Sequence, residues 1–273
     1  MTFTMAGSPA GTRPPVVTAM GGGGAFGIAY HLGVTRALID AGVRVDQGPM
    51  FGVSAGAYAA AALVTDTHLD TIMGAWDDYG RSRRRGRART WDITGKLFGH
   101  RRDSRVNGVC TTATWPMPVV LNGAEHGLGH IVAAAASPIG AARGHEIAGR
   151  RLFDAGMYWN TAAHRAPSAE LLVVIAPLCG DSSNVLGRMW DQQLRYELHP
   201  RYTAKHKRVV LIRPDADVIA ASNCNRLSNL LSTAHAPATY RAAYQQGARL
   251  AEGVIALRDQ AASRPVWRLH KIA

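Results

Sequence analysis

The chain is poor in cysteine, in acidic residues and in long apolar runs, and each shortage closes off a class of protein. Cys110, Cys179 and Cys224 are the three cysteines in 273 residues. An odd count at wide spacing builds neither a disulfide framework nor a zinc site, so a reducing cytoplasm is the expected compartment. The longest purely apolar stretches, Ala57 to Val64 and Ile131 to Ala136, fall well short of the roughly 20 residues that span a bilayer. Residues 1–15 lack the basic start and apolar core of a secretory signal and are expected to form a disordered leader, leaving 16–273 as a single domain. There is no internal repeat and no linker. The apolar share of 47% suits a globular chain with a sizeable core.

Acidic residues number 19 against 31 lysines and arginines, a net charge of +12. Such a surface attracts polyanions. The arginines gather at Arg81, Arg83, Arg84, Arg85, Arg87 and Arg89, and again at Arg101, Arg102 and Arg105. No C-x-x-C finger, aromatic ribonucleoprotein signature or basic helix with leucine heptads accompanies them, so nucleic acid is not the expected partner. Peripheral contact with an anionic membrane surface is. The stretch from Arg81 to Arg105 reads as a polar, basic connection that borders the site.

What the chain does have is Gly52-Val53-Ser54-Ala55-Gly56, a G-x-S-x-G between an apolar run and an alanine-rich helix. This is the pattern of a nucleophile elbow, in which a strand turns so sharply into a helix that the apical residue takes strained dihedrals. Ser54 stands at that apex. Gly52 and Gly56 are where strand and helix approach too closely for a Cβ. The pattern is common by chance, and its neighbours carry the argument.

Upstream, Val16 to Met20 reads as a buried strand, Gly21 to Gly24 follow, and a period of 3.6 through Ile28, Leu32, Thr35 and Ile39 then marks a helix that ends at Ala41-Gly42. Strand, glycine loop and helix start together form a nest of backbone N–H groups for an anion. The anion is a nucleotide phosphate or the oxyanion of an acyl-transfer intermediate. A dinucleotide site wants an acidic residue ending the second strand, whereas Asp40 and Asp46 flank a turn, and a P-loop wants a lysine where Ile28 stands. The oxyanion is favoured, held by Gly22, Gly23 and Gly24. Alanine at Gly23 or Gly24 is expected to displace those donors without touching the core.

The strand, the G-G-G-G-A-x-G loop opening a helix and the later G-x-S-x-G elbow together resemble the patatin-like phospholipase family of lipid acyl hydrolases. The resemblance covers Val16 to about Asn160. It implies a third element, a D-G-G or D-G-A turn whose aspartate completes a Ser–Asp dyad, and Asp154-Ala155-Gly156 stands in the right order. Phe26 replaces the family's usual Arg or Lys, so the oxyanion would rest on backbone N–H groups. Ala155 replaces its usual glycine, which puts the turn geometry in question if a positive φ is needed. Phe153, Met157, Tyr158 and Trp159 are expected to desolvate Asp154 and raise its pKa.

Elsewhere, 109–114 and 117–121 read as strands joined around Trp115-Pro116, and 171–176 and 208–212 as fully buried strands. A final helix over 238–259 is expected to pack against the sheet. The expected fold is a three-layer α/β/α sandwich with a mainly parallel central sheet, patatin-like. His31, His206 and His235 are weighed as catalytic bases and set aside, as interior or surface residues. His126 and His130 have helical spacing but no third ligand, so neither a metal nor any other cofactor is expected. The expected function is hydrolysis of carboxylic esters of lipids by Ser54 with Asp154 as base. The alternatives are a thioesterase or acyltransferase on small or carrier-bound acyl groups, and a non-catalytic basic membrane-binding protein. The oligomeric state is left open.

Overall fold

A strand covered on both faces must be apolar at every position, and Leu171–Ile175 is. Leu171, Val173 and Ile175 face one layer of helices, and Leu172 and Val174 face the other. The structure is a computed structural model and describes residues 13–84, 90–114, 117–179, 185–224, 227–263 and 269–271. The expected leader lies outside the described residues as far as residue 12.

In chain order the first half reads β1 (Val16–Met20), α1 (Gly24–Asp40), β2 (Met50–Val53), α2 (Ala55–Thr65), α3 (Leu69–Arg84), α4 (Thr90–Leu97), β3 (Val106–Thr111), β4 (Val119–Asn122) and α5 (Leu128–Ala135). It continues with β5 (His145–Ile147), β6 (Arg150–Asp154), β7 (Leu171–Ile175), α6 (Val185–Glu197), α7 (Pro200–Thr203), β8 (Arg208–Ile212), α8 (Ala216–Ser222), α9 (Leu227–Leu230), α10 (Ala236–Ser263) and β9 (Leu269–Lys271).

The strands join one sheet in the order β5-β6-β3-β2-β1-β7-β8-β9, with β4 also paired to β3. From β3 through β9 the neighbours run parallel, while β4, β5 and β6 make antiparallel pairs at the other end. One face carries α1, α2, α5 and α10, packed on Met20, Met50 and Val106 and on Val16, Leu171 and Val173. The other carries the segment after β6 and α6, through Ala163, Ala166, Leu194 and Leu198. This is the expected three-layer α/β/α sandwich with a mostly parallel sheet.

Three local expectations are corrected. The basic stretch from Arg81 to Arg105 is not one long connection: α3 runs on to Arg84 and α4 fills Thr90–Leu97, because Ile93 and Phe98 are buried and Trp91 stacks on His130 with centroids 4.0 Å apart. Its middle, 85–89, lies outside the described residues. The strand expected at 109–114 starts earlier, since the parallel register with β2 pairs Val106 with Met50, and its partner starts at Val119; Trp115 and Pro116 lie outside the described residues. The last helix is longer than expected, and besides touching the sheet as expected it lies chiefly on α1. Gly33 and Gly247 allow this, since a Cβ there would stand 2.5 Å from Tyr240 O and 2.9 Å from Val34 O. Among the described residues no helix is long and apolar enough to cross a membrane.

Candidate active site

β2 ends at Val53 and α2 begins at Ala55, so Ser54 alone makes the turn, at φ 52 and ψ −112. A non-glycine residue in that region costs on the order of 1–3 kcal/mol and persists only where its surroundings hold it. They do so here through both glycines of the motif. A Cβ on Gly52 would stand 2.4 Å from Ala57 N, and one on Gly56 would stand 2.2 Å from Met20 O. Two hydrogen bonds tie the elbow down, Ser54 N–H to Ala135 O (3.1 Å) and Gly56 N–H to Gly21 O (3.1 Å).

Asp154 is the last residue of β6. Its backbone N–H donates to Ser137 O (2.8 Å), and it sits opposite Cys110 of β3, one step past the Val53–Val109 pair in register. The Ser54 hydroxyl lies beside the Asp154 carboxylate and favours the charged form. Gly156 N–H donates to Oδ1 at 2.7 Å, so the residues after Asp154 close into the short 3-10 turn Ala155–Met157. Burial raises the Asp154 carboxyl to about 6, while Ser54 and the bond from Gly156 pull the other way. The doubt over Ala155 is removed: it is fully buried in that turn and is not among the left-handed residues. The expected shield is corrected in part. Phe153 is buried, but Met157 and Tyr158 stand exposed, and Asp154 is itself buried at the end of β6.

The glycine loop is held along its length and leaves two donors open. Gly21 N–H donates to Ile175 O (2.9 Å) and Gly22 N–H to Asn160 O (3.2 Å). Gly22 therefore cannot offer its N–H to an oxyanion, which corrects that assignment. Gly23, at φ 152, turns the chain into α1, and Gly24 follows at φ 59. Among the described residues nothing accepts the N–H of Gly23, of Gly24, or of Ala55, the first residue of α2. These donors lie at the starts of two helices, whose dipoles favour negative charge. A Cβ on Gly22 would come 3.6 Å from Ser54 Cβ, so the loop and the serine face one space.

No family model and no curated protein matches the chain. The site rests on its geometry.

Two residues support the loop, and of them the sequence singles out only His31. Glu197, at the end of α6, is fully buried and accepts from Asn160 N–H (2.6 Å), the Thr161 hydroxyl (2.5 Å), Thr161 N–H (3.0 Å) and Ala163 N–H (3.4 Å). Burial pushes its pKa up against those bonds. It thereby fixes Asn160, whose carbonyl holds Gly22. His31 is likewise buried in α1, and its Nε2 meets Gly21 O at 2.8 Å. Burial lowers its pKa to about 4 despite that bond, so it is a neutral ring that donates to the loop.

The other histidines stand apart. His206 precedes β8, at the sheet edge opposite Ser54, and burial lowers its pKa to about 4. His235 ends a short turn before α10. Asp154 has Ser54 and Gly156 as its described side-chain partners, and no histidine. His126 lies before α5 and His130 inside it, where His130 Nδ1 meets His145 Nε2 at 2.9 Å. Among the described residues no three His, Cys, Asp or Glu side chains are placed to share a metal ion. Phe26 is buried and stacked on Tyr30, so position 26 brings no cation to the loop.

Proposed function

We propose that the protein is a serine acyl hydrolase that cleaves carboxylic esters of lipids through an acyl-serine intermediate, using a Ser54–Asp154 dyad in the manner of the patatin-like enzymes it resembles. One observation carries the reading: Ser54 is held at φ 52, ψ −112 at the mouth of a helix, with its hydroxyl beside a buried carboxylate. Asp154 takes the Ser54 proton as Oγ attacks the ester carbonyl. The oxyanion that forms accepts from Gly23 and Gly24 N–H, with Ala55 N–H as the third donor. When the tetrahedral intermediate collapses, Asp154 returns the proton to the departing alcohol. Water then attacks the acyl-serine, giving a proton to Asp154, which passes it to Ser54 Oγ as the acyl–oxygen bond breaks and the carboxylic acid leaves.

A carboxyl near 6 suits this part better than one near 4, because it is a stronger base that is still ionised at neutral pH. The reading also includes a reducing cytoplasm, consistent with the free cysteines Cys110, Cys179 and Cys224, and peripheral contact with lipid. The test is product analysis with a phospholipid, a simple monoester and a carrier thioester side by side. Free fatty acid from the phospholipid is expected. Release from the thioester alone, or transfer to an added alcohol in place of water, would replace lipid hydrolysis with thioesterase or acyltransferase activity.

A further inference from the structure

Large apolar side chains that stand exposed are few among the described residues: Met117 (48%), Met157 (61%), Tyr158 (41%), Leu231 (62%) and Tyr196 (46%). Four of the five border the site. Met157 and Tyr158 follow directly on the Asp154 turn. Met117 lies where β3 ends, its carbonyl 3.5 Å from the Thr111 hydroxyl, next to the strand residue paired with Asp154. Leu231 sits against the oxyanion loop, with its Cδ2 2.9 Å from where a Cβ on Gly24 would be. Only Tyr196, on α6, already has its ring packed, against Tyr202, Trp159 and the Arg201 guanidinium.

Exposed apolar groups collected on one rim cost solubility and are retained where something apolar covers them. Charge narrows the choice. The chain carries +12, and α3, joined to this rim by the bond from Thr233 Oγ1 to Asp77 Oδ1 (2.6 Å), runs on for seven residues from Asp77 to Arg84, roughly 10 Å at 1.5 Å per residue. Its last turn carries Arg81, Arg83 and Arg84 in sequence. We infer that Met117, Met157, Tyr158 and Leu231 form the face by which the protein docks on an anionic lipid bilayer, with the apolar side chains entering the interface and basic residues meeting the headgroups around them. The Ser54 site then opens onto the bilayer. The inference deepens the lipid-hydrolase reading and rests on it for its purpose, but its test needs no turnover.

The experiment is co-sedimentation of the Ser54→Ala protein with vesicles of phosphatidylcholine alone and of equal parts phosphatidylcholine and phosphatidylglycerol. Binding to the mixed vesicles is expected to exceed binding to the neutral ones and to fall with salt. Adding Met157→Asp and Leu231→Asp should lower the partition coefficient at least about tenfold, since burial of either side chain is worth about that much. Tyr196→Asp should leave it within about twofold, with unchanged melting temperature in both cases. Equal binding to the two vesicle types, no binding to either, or an equal loss from Tyr196→Asp would overturn the proposal. So would a dimer that the Met157→Asp, Leu231→Asp pair dissociates, which would make this face a contact between copies of the chain. Intact binding together with an unreactive Ser54 would instead count against the hydrolase reading alone.

Discussion

The Ser54 hydroxyl meets the Asp154 carboxylate because β6 runs antiparallel to β3 and delivers its last residue to the edge where the parallel strand β2 ends. Nucleophile and base thus come from the two kinds of strand in a mixed sheet. A β6 parallel to β3 would have reached that edge only after a further crossover connection.

The base sets a pH dependence. Asp154 acts when ionised, and its carboxyl sits at about 6, so kcat/KM should rise between about pH 5 and 7 and level off above. Initial rates on a soluble ester across that range check it. A midpoint near 4 would mean the carboxylate is solvated in the working enzyme.

The same burial costs stability, and the sign can be stated. The unfolded chain releases this proton near pH 4 and the folded protein near 6, so stability falls as pH rises between them and the penalty stays constant above. Asp154→Asn removes the charge, and at pH 8 it is expected to be more stable than the parent by up to about 3 kcal/mol, or several degrees, while losing at least about 10³-fold in activity. At pH 4 the gain in melting temperature should vanish. A variant less stable at pH 8 would mean that the native carboxylate is a structural tie.

Gly22→Ala tests the loop more cleanly than its neighbours. A Cβ at Gly23 would stand 2.8 Å from Gly27 Cα and one at Gly24 would stand 2.5 Å from Leu230 O, both on positive φ, so alanine at either should cost stability as well as activity. At Gly22 the methyl finds ordinary contact with Ser54 Cβ at 3.6 Å and points at the serine. Its melting temperature should match the parent, while kcat/KM falls by about 10²-fold from the displaced substrate carbonyl. Unchanged kinetics would place the substrate on another side of Ser54.

Glu197→Ala leaves the N–H groups of Asn160 and Thr161 buried without an acceptor, at a cost of at least about 2 kcal/mol. The loop 160–163 should loosen and take the Asn160 hold on Gly22 with it. Hydrogen exchange at Gly22 and the melting temperature together check this. Loss of stability with Gly22 still protected would separate the two.

Much of this was legible in the sequence for physical reasons. Val16 to Met20 and Leu171 to Ile175 are apolar at almost every position, which only a strand covered on both faces requires, and Gly52 and Gly56 mark a turn where no Cβ fits. What was not legible depends on tertiary pairing. Nothing local says that Asn160 O takes the Gly22 N–H, which leaves Gly23 and Gly24 as the open donors. Glu197 is a single carboxylate at the end of an amphipathic helix, and its partners lie more than thirty positions away. The helix at Thr90–Leu97 was masked by the arginines before it, because charge along the run outweighed the short stripe of Ile93 and Leu97. For Gly23 and Gly24, the expectation that alanine would spare the core fails because Gly27 and Leu230 pack directly on the loop.

The most direct measurement is intact mass with peptide mapping after timed exposure to a fluorophosphonate probe, run on the parent, Ser54→Ala, Asp154→Asn, His31→Ala, His206→Ala and His235→Ala. The parent should gain one adduct, on Ser54. Ser54→Ala should gain none, Asp154→Asn should label at least about 10³-fold more slowly, and His206→Ala and His235→Ala should label like the parent, with His31→Ala slowed less than Asp154→Asn. A parent that stays unmodified, or a folded His206 or His235 variant as unreactive as Ser54→Ala, would contradict a nucleophile activated by Asp154 alone.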